Sequence, residues 1–206
     1  MHWKLFMGLF FAFFVACQAP PGPLNQVPVE SIQWENESFW TKYLLTIPDT
    51  GSQALKPIES VLGDHAQIPA LFAQFLREKT VEPIDLLEKS LYNDALGSRK
   101  PLPDPRAYAY ASGQDTLYLN LYLDSRVSLS LAGGKVSLAV DAAYPWAEKN
   151  AMQMIEAPGK RFVLALRIPA SVRNQAIPAD KVEYLYHSNR TLVLRVNEEI
   201  TVPTTV

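Results

Sequence analysis

Side chains that act as nucleophiles or metal ligands are scarce in this sequence. The chain has 206 residues, with one cysteine, Cys17, and three histidines. A zinc site needs three or four Cys, His or carboxylate ligands close together, whereas His65 and His187 lie far apart along the chain. We therefore predict no metal site and no cofactor. The single cysteine also excludes a disulfide within the chain.

Carboxylates are plentiful but form no recognisable motif. The 21 Asp and Glu residues could perform general acid and base chemistry only if two of them faced each other across a cleft. Asp141 and the pair Glu198 and Glu199 are the candidates that stand out, and we interpret them as solvated side chains. The sequence therefore predicts no catalytic residue.

Aromatic residues in the second half of the chain have two open interpretations. Tyr144, Trp146, Tyr184 and Tyr186 could stack on sugar rings. Aromatic side chains at strand ends more often pack at the edge of the core, and this is the interpretation we favour. Nearby arginines are predicted to form a solvated face: Arg161, Arg167, Arg173, Arg190 and Arg195.

The composition indicates a globular protein with no electrostatic preference for nucleic acid. Hydrophobic residues make up 48% of the chain and charged residues 19%, as in ordinary folded domains. The 19 Lys and Arg residues against 21 Asp and Glu give a net charge of −2. No basic surface for DNA or RNA is therefore predicted.

Residues 1–16 are predicted to be a signal peptide. Their apolar run, residues 5–16, is short for a membrane span, which takes about 20 residues. The run ends in Phe14-Val15-Ala16-Cys17, which resembles the bacterial lipobox and makes Cys17 the predicted lipid attachment site. A plain secreted protein and an uncleaved anchor are the alternatives.

The predicted lipid anchor implies a membrane location. Stable anchoring needs two or more acyl chains, as a lipidated N-terminal cysteine carries. Gln18 is not the aspartate that retains many lipoproteins in the inner membrane, so this resemblance favours the cell envelope, at the bacterial outer membrane. Residues 17–31 are rich in proline and are predicted to form an extended tether.

The periodicity of the sequence changes near residue 107. Before this point, helices are predicted at 53–63, 69–79 and 83–96, and a proline-rich linker at 98–106. After it, apolar and polar residues alternate as in half-buried strands. The predicted strands are 116–123, 126–131, 135–140, 161–168, 182–187 and 191–196, with a turn at 132–134.

These elements predict a mainly β fold class. An antiparallel β-sandwich is expected over 107–206, preceded by a small helical segment over 32–106. Two of the helices carry apolar faces that need cover, because large exposed apolar patches are rare on soluble monomers. The helices could fold onto the sandwich, pair with a second copy or dock on a partner, and we expect self-association. The two faces comprise Leu71, Phe72, Phe75 and Leu76, and Ile84, Leu87 and Leu91.

Four segments of the predicted strand region share the order and spacing of a known family. They are 115–122 (DTLYLNLY), 134–136 (GKV), 144–146 (YPW) and 164–169 (LALRIP). Residues 111–172 closely resemble the β-sandwich that follows the catalytic domain in glycoside hydrolase family 127, which includes bacterial β-L-arabinofuranosidases. Weaker similarity at 32–48 and 88–93 covers the family's N-terminal segment and a late helix of its (α/α)6 barrel.

The resemblance also implies that the family's catalytic residues are missing. In the family, a zinc-bound cysteine of a Cys-Cys motif is the nucleophile, a Glu-x-Cys motif adds zinc ligands, and a separate Glu is the acid/base. None of these motifs occurs here, and residues 49–87 are all that stands where the family has most of its barrel.

The expected function follows from the anchor and from the missing motifs. We expect a non-catalytic, membrane-anchored lipoprotein with a structural or carbohydrate-associated role, so that no enzymatic activity is predicted. Carbohydrate and polysaccharide-degradation proteins are the candidate partners. A glycosidase acting on β-L-arabinofuranoside-type sugars and a decayed glycosidase remnant are the alternatives.

Overall fold

Two four-stranded sheets form the centre of the fold. The structure, a computed structural model, describes residues 23–35, 67–97, 103–142, 144, 149–173 and 193–201. The strands are β1 Asn25–Gln26, β2 Ile32–Trp34, β3 Tyr110–Ser112, β4 Thr116–Leu119, β5 Ser125–Leu131, β6 Gly134–Ala142, β7 Asn150–Glu156 and β8 Val163–Leu166. The first sheet has the order β1-β3-β4-β8 and the second has the order β2-β5-β6-β7. A separate hairpin pairs β9 Leu194–Val196 with β10 Glu199–Thr201.

Two longer helices and three short ones accompany the sheets in the described residues. They are α1 Gln67–Glu78, α2 Glu82–Gly97, α3 Arg106–Ala109 and the 3-10 helices Val29–Ser31 and Ala170–Arg173. Helix α1 ends at Glu78, and the next residue, Lys79, forms a left-handed cap: its φ is 59° and its N–H donates to the Phe75 carbonyl at 2.8 Å. Glu82 and Asp85 lie in the first turn of α2, where their negative charges interact favourably with the positive end of the helix dipole. The predictions at 69–79 and 83–96 are confirmed, while 53–63 lies outside the described residues.

The β5–β6 hairpin follows the alternation of its sequence. The two strands pair continuously from Ser125 opposite Val140 to Leu131 opposite Gly134. Gly134 has a φ of 127°, which a residue with a side chain rarely adopts. The strands predicted at 126–131 and 135–140 and the turn at 132–134 are therefore confirmed.

The fold is mainly β, as predicted, but the first sheet is mixed rather than purely antiparallel. Strand β8 pairs with β4 in the parallel sense, with Thr116 opposite Val163 and Leu119 opposite Leu166. Between β4 and β8 the chain builds β5, β6 and β7 of the second sheet. It therefore returns to the first sheet through a crossover, which is the connection that a parallel pair requires.

The two faces of the first sheet are covered by different elements. Leu119 is fully buried and lies opposite Tyr110 in the strand register, and the Tyr110 hydroxyl is 2.9 Å from Ser125 Oγ of the second sheet. Tyr118 points to the other face because side chains alternate along a strand, and its ring packs edge-on against Phe75 of α1 with centroids 6.1 Å apart. The fold therefore has three layers: helices, first sheet and second sheet.

Both apolar helix faces are covered within the chain. Phe72 and Phe75 of α1 are buried, with Leu71 and Leu76 packed against the core, and Ile84, Leu87 and Leu91 of α2 are fully buried. The Phe72 ring meets Tyr108 of α3 edge-on, with centroids 5.4 Å apart. Of the three arrangements considered, the structure shows the helices folded onto the sandwich. Self-association stays a prediction, but these faces no longer motivate it.

The structure differs from the sequence at several element boundaries. Within the predicted tether 17–31, Leu24 and Val27 are buried, and β1 pairs with β3. The predicted strand 116–123 ends at Leu119, 161–168 is shortened to β8 and 191–196 to β9. Strand β7 was not predicted, and 182–187 lies outside the described residues. Strands of two or three residues are too short to show a periodic pattern, which explains why the sequence did not place β1, β2 and β3 individually.

Candidate functional site

Four charged side chains meet where α2 lies against the end of β8. Arg167 follows β8 directly, and Arg173 ends the 3-10 helix after it. Asp85 and Glu88 lie three residues apart on α2, and residues at this spacing share one face of a helix. We call these four residues the Arg167 cluster.

The guanidinium of Arg167 contacts three partners at once. Its Nη1 donates to Asp85 Oδ1 at 2.7 Å, and its Nε donates to the Asn120 carbonyl at 2.5 Å. Its Nη2 lies 2.7 Å from Glu88 Oε2, an ion-pair distance without the alignment of a hydrogen bond. Arg173 binds the other carboxylate oxygen of Asp85. One arginine thus connects α2 to the backbone of the first sheet.

The Arg167 cluster is largely withdrawn from water. The side chains of Arg167 and Glu88 are only 4% and 3% exposed. Burial raises the pKa of the Glu88 carboxyl, and the nearby Arg167 charge opposes that rise. Burial acts to lower the pKa of Arg167, but its ion pairs with Glu88 and Asp85 outweigh burial and raise it. Arg167 therefore stays charged, and a substrate has no access to Glu88 in this conformation.

Polar and aromatic groups complete the surroundings of the cluster. The Tyr122 hydroxyl donates to the Arg167 carbonyl at 2.8 Å, and burial raises the pKa of Tyr122 to about 12. The ring of Tyr144 packs against Tyr122, with centroids 6.1 Å apart. The Asn120 side chain is buried, and its Nδ2 has no hydrogen-bond partner among the described residues. These groups enclose the arginine instead of lining an open cleft.

The structure corrects one sequence interpretation of the arginines and leaves others in place. Arg167 was predicted to lie on a solvated face, yet it is buried because Asp85 and Glu88 neutralise it. Arg173 also pairs with Asp85, while Arg195 is exposed. Arg190 lies outside the described residues. A local signal existed: Glu88 interrupts the apolar face of α2 between Leu87 and Leu91, where a carboxylate needs a buried partner.

The other residues singled out in the sequence do not come together. Tyr144 is buried, as the core interpretation predicts, and this burial argues against its stacking on a sugar. Asp141, Glu198 and Glu199 are exposed. Residues outside the described ranges are Cys17, His65, Trp146, Tyr184, Tyr186 and His187.

Two further kinds of feature are absent from the described ranges. No group of three or more His, Cys, Asp or Glu side chains is placed so that it could hold a metal ion. No helix in this part of the chain is long and apolar enough to cross a membrane. The predictions of no metal site and of a lipid anchor at Cys17 both stay predictions.

The fold and its internal charged cluster define a helix-covered β-sandwich domain. The family model of the β-L-arabinofuranosidase GH127 middle domain matches residues 116–197, which is less than half of the chain. This region runs from β4 to the end of β9 and includes Arg167. The sandwich is therefore similar to the middle domain of glycoside hydrolase family 127, and the sequence resemblance to that family is confirmed.

Solved structures extend the comparison to the fold. A GH127 β-arabinofuranosidase is 23% identical with a TM-score of 0.50, over 65% of this chain and 28% of its own length. The GH127 β-L-arabinofuranosidase of Geobacillus stearothermophilus T6 is 18% identical with a TM-score of 0.44, over 52% of this chain and 24% of its own. No curated protein matches the chain. The matched part of the chain spans less than a third of the length of either structure.

Proposed function

We propose that this protein is a non-catalytic lipoprotein, anchored through Cys17 in the cell envelope. Its sandwich would serve as a structural or carbohydrate-associated module. The proposal is supported by the fold shared with part of a family 127 enzyme and by the pairing of the buried carboxylates with Arg167. Its location would be the bacterial outer membrane, as the residue after Cys17 favours.

The arrangement of the Arg167 cluster is the observation that supports a non-catalytic role best. Glycosidases that use two carboxylates place them on either side of the bond that is cleaved. Asp85 and Glu88 instead lie on one face of α2 and bind the same guanidinium, each at 2.7 Å. Both carboxylates are used to join two layers of the protein, so neither faces a substrate.

The relatives supply the second line of support and also the alternative. The solved family 127 structure is described as a β-arabinofuranosidase, and the matched family region is a middle domain rather than the whole enzyme. Residual hydrolysis of β-L-arabinofuranosides is therefore the competing function. Glu88 is the group to test for it, because burial raises its pKa and the general acids of glycosidases are carboxyls with a raised pKa.

Hydrolysis assays decide between these two functions. We expect the purified protein to release no product from aryl β-L-arabinofuranosides above the buffer blank, with or without added zinc. Turnover that survives repurification and disappears in a Glu88→Gln variant that is still folded would establish the glycosidase instead. A glycan array on the same preparation tests carbohydrate association, and selective binding to arabinose-containing glycans would support that form of the proposal.

Metabolic labelling tests the anchor. Bacteria grown with a labelled fatty acid should incorporate it into the protein, and Cys17→Ser should abolish the label while an antibody still detects the chain. Ala19→Ser is a matched control that keeps the cysteine and should be labelled like wild type. Label on the Cys17→Ser protein would contradict the lipid attachment site, and density-gradient separation of the membranes tests the outer-membrane location.

A further inference from the structure

The contacts between α2 and the sandwich combine two kinds of interaction. Ile84, Leu87 and Leu91 are fully buried and supply apolar cover. The Arg167 cluster adds directed contacts, with one guanidinium bound to Asp85 and to the Asn120 carbonyl and paired with Glu88. The free energy of burying apolar surface is roughly proportional to the buried area and does not depend on direction. A guanidinium group that pairs with carboxylates, in contrast, fixes both the distance and the angle between the groups.

Burial makes the cluster a poor source of stability. Glu88 and Arg167 have almost no exposed side-chain area, and removing two such charges from water carries a large desolvation cost that their attraction must offset. The rise in the pKa of Glu88 has the same origin, because burial disfavours its charged form. Ile84, Leu87 and Leu91 already bury the apolar face of α2 without the desolvation cost of a charge, so the charges need another explanation.

We propose that the Arg167 cluster selects one orientation in which the helix pair, α1 and α2, packs on the sandwich, and we call this function of the cluster the lock. Arg167 can pair both carboxylates only when Asp85 and Glu88 both face the end of β8. Rotation of α2 about its axis would leave Arg167 or Glu88 buried and unpaired, which is strongly unfavourable. Arg173 strengthens the selection because it binds Asp85 from the 3-10 helix Ala170–Arg173.

The lock also connects segments that are distant in sequence. Asp85 and Arg167 are 82 positions apart, and the Arg167 N–H donates to the Leu119 carbonyl at 3.1 Å. The Tyr122 hydroxyl donates to the Arg167 carbonyl. The side chain that orients α2 is therefore held by the backbone at the ends of β4 and β8, so order in the helix pair depends on order in the first sheet.

Two variants of the full chain test the lock. Arg167→Met removes the cation alone and leaves Glu88 unpaired, so its denaturation midpoint should fall. Arg167→Met with Glu88→Leu removes both buried charges and leaves Asp85 paired with Arg173, so its midpoint should recover toward that of wild type or exceed it. In this double variant the α2 amides should exchange hydrogen on the order of tenfold faster than in wild type, while the β6 amides keep their protection.

A surface pair supplies the matched control. Lys135 and Glu156 form an exposed ion pair at 3.0 Å, and Lys135→Met with Glu156→Leu should change neither the midpoint nor the exchange of α2. Wild-type protection of α2 in the cluster double variant would overturn the proposal, since apolar packing would then orient the helix. A double variant no more stable than Arg167→Met would also overturn it, because the charges would then be a source of stability. If Arg167→Met fails to fold, the double variant alone decides.

Discussion

The first sheet is covered on its two faces by interfaces of opposite character. Toward the second sheet, the contact is formed by fully buried apolar residues such as Leu117, Leu119 and Val127. Toward the helices, aromatic contacts such as Phe75 with Tyr118 are joined by the buried charges of the Arg167 cluster. The apolar interface tolerates a range of sequences of similar volume, while the charged interface requires particular residues.

This difference separates stability from orientation. Burial of apolar side chains supplies most of the favourable free energy of folding, so the sheet-to-sheet interface should carry the stability of the protein. Buried charges contribute little net stability but are costly to leave unpaired. The helix-to-sheet interface should therefore react most strongly to removal of one member of a pair.

The largest effect is expected when the buried cation is removed. Arg167→Met should lower the free energy of unfolding by about 3–5 kcal/mol, because Glu88 is left as an uncompensated buried charge. Chemical denaturation of the variant and of wild type measures this loss. A loss below about 1 kcal/mol would mean that Glu88 is neutral in the folded state, and the contrast between the two interfaces would then disappear.

Two leucines that face each other across β4 and β8 test the apolar interface. Leu117 is fully buried, whereas its register partner Leu164 is only partly buried. Leu117→Ala should lower the free energy of unfolding by about 2–5 kcal/mol, and Leu164→Ala should lower it by less. Equal denaturation midpoints for the two variants would contradict the burial of this face.

Each of the two interfaces contains a buried tyrosine whose ionisation at alkaline pH can be measured. Burial raises the pKa of Tyr110, between the sheets, to about 12, and that of Tyr122, beside Arg167, to about 12 as well. Each folded-state pKa lies above the unfolded value of 10.0, so each neutral tyrosine contributes to the free energy of unfolding. This contribution is fully present below pH 10 and is lost as the pH rises through about 12. Each shift corresponds to about 2–3 kcal/mol.

A titration from pH 10 to about 12 that follows phenolate absorbance and unfolding together tests whether tyrosine ionisation and loss of the fold coincide. Tyr110→Phe and Tyr122→Phe should each shift alkaline unfolding to higher pH, since one ionisable group is removed. Ionisation of both tyrosines at their ordinary pKa, in a protein that remains folded, would show that neither side chain is buried as described.

The smallest effect is expected at the surface. Lys135 and Glu156 form an ion pair on β6 and β7 with side chains 58% and 47% exposed. Lys135→Ala should change the free energy of unfolding by less than about 1 kcal/mol, because water screens exposed pairs. Thermal unfolding in low and high salt measures it, and a loss as large as that of Arg167→Met would show that burial does not distinguish the two pairs.

The sequence by itself determined the elements whose pattern is local. Alternation in β5 and β6, the glycine turn between them and the apolar faces of α1 and α2 all follow from residues within a few positions of one another. The segments that resemble family 127 were also readable in this way, and the family model matches residues 116–197. These features were predictable because side-chain periodicity depends only on backbone geometry.

Only the tertiary structure decided which distant residues meet. The parallel pairing of β8 with β4, the placement of Leu24 and Val27 in the core and the burial of Arg167 all depend on contacts across many positions of the chain. An arginine in LALRIP looks solvated when read locally, because its charge favours water. It is buried here since Asp85 and Glu88, 82 and 79 positions earlier in the sequence, supply the opposite charges that make its burial possible.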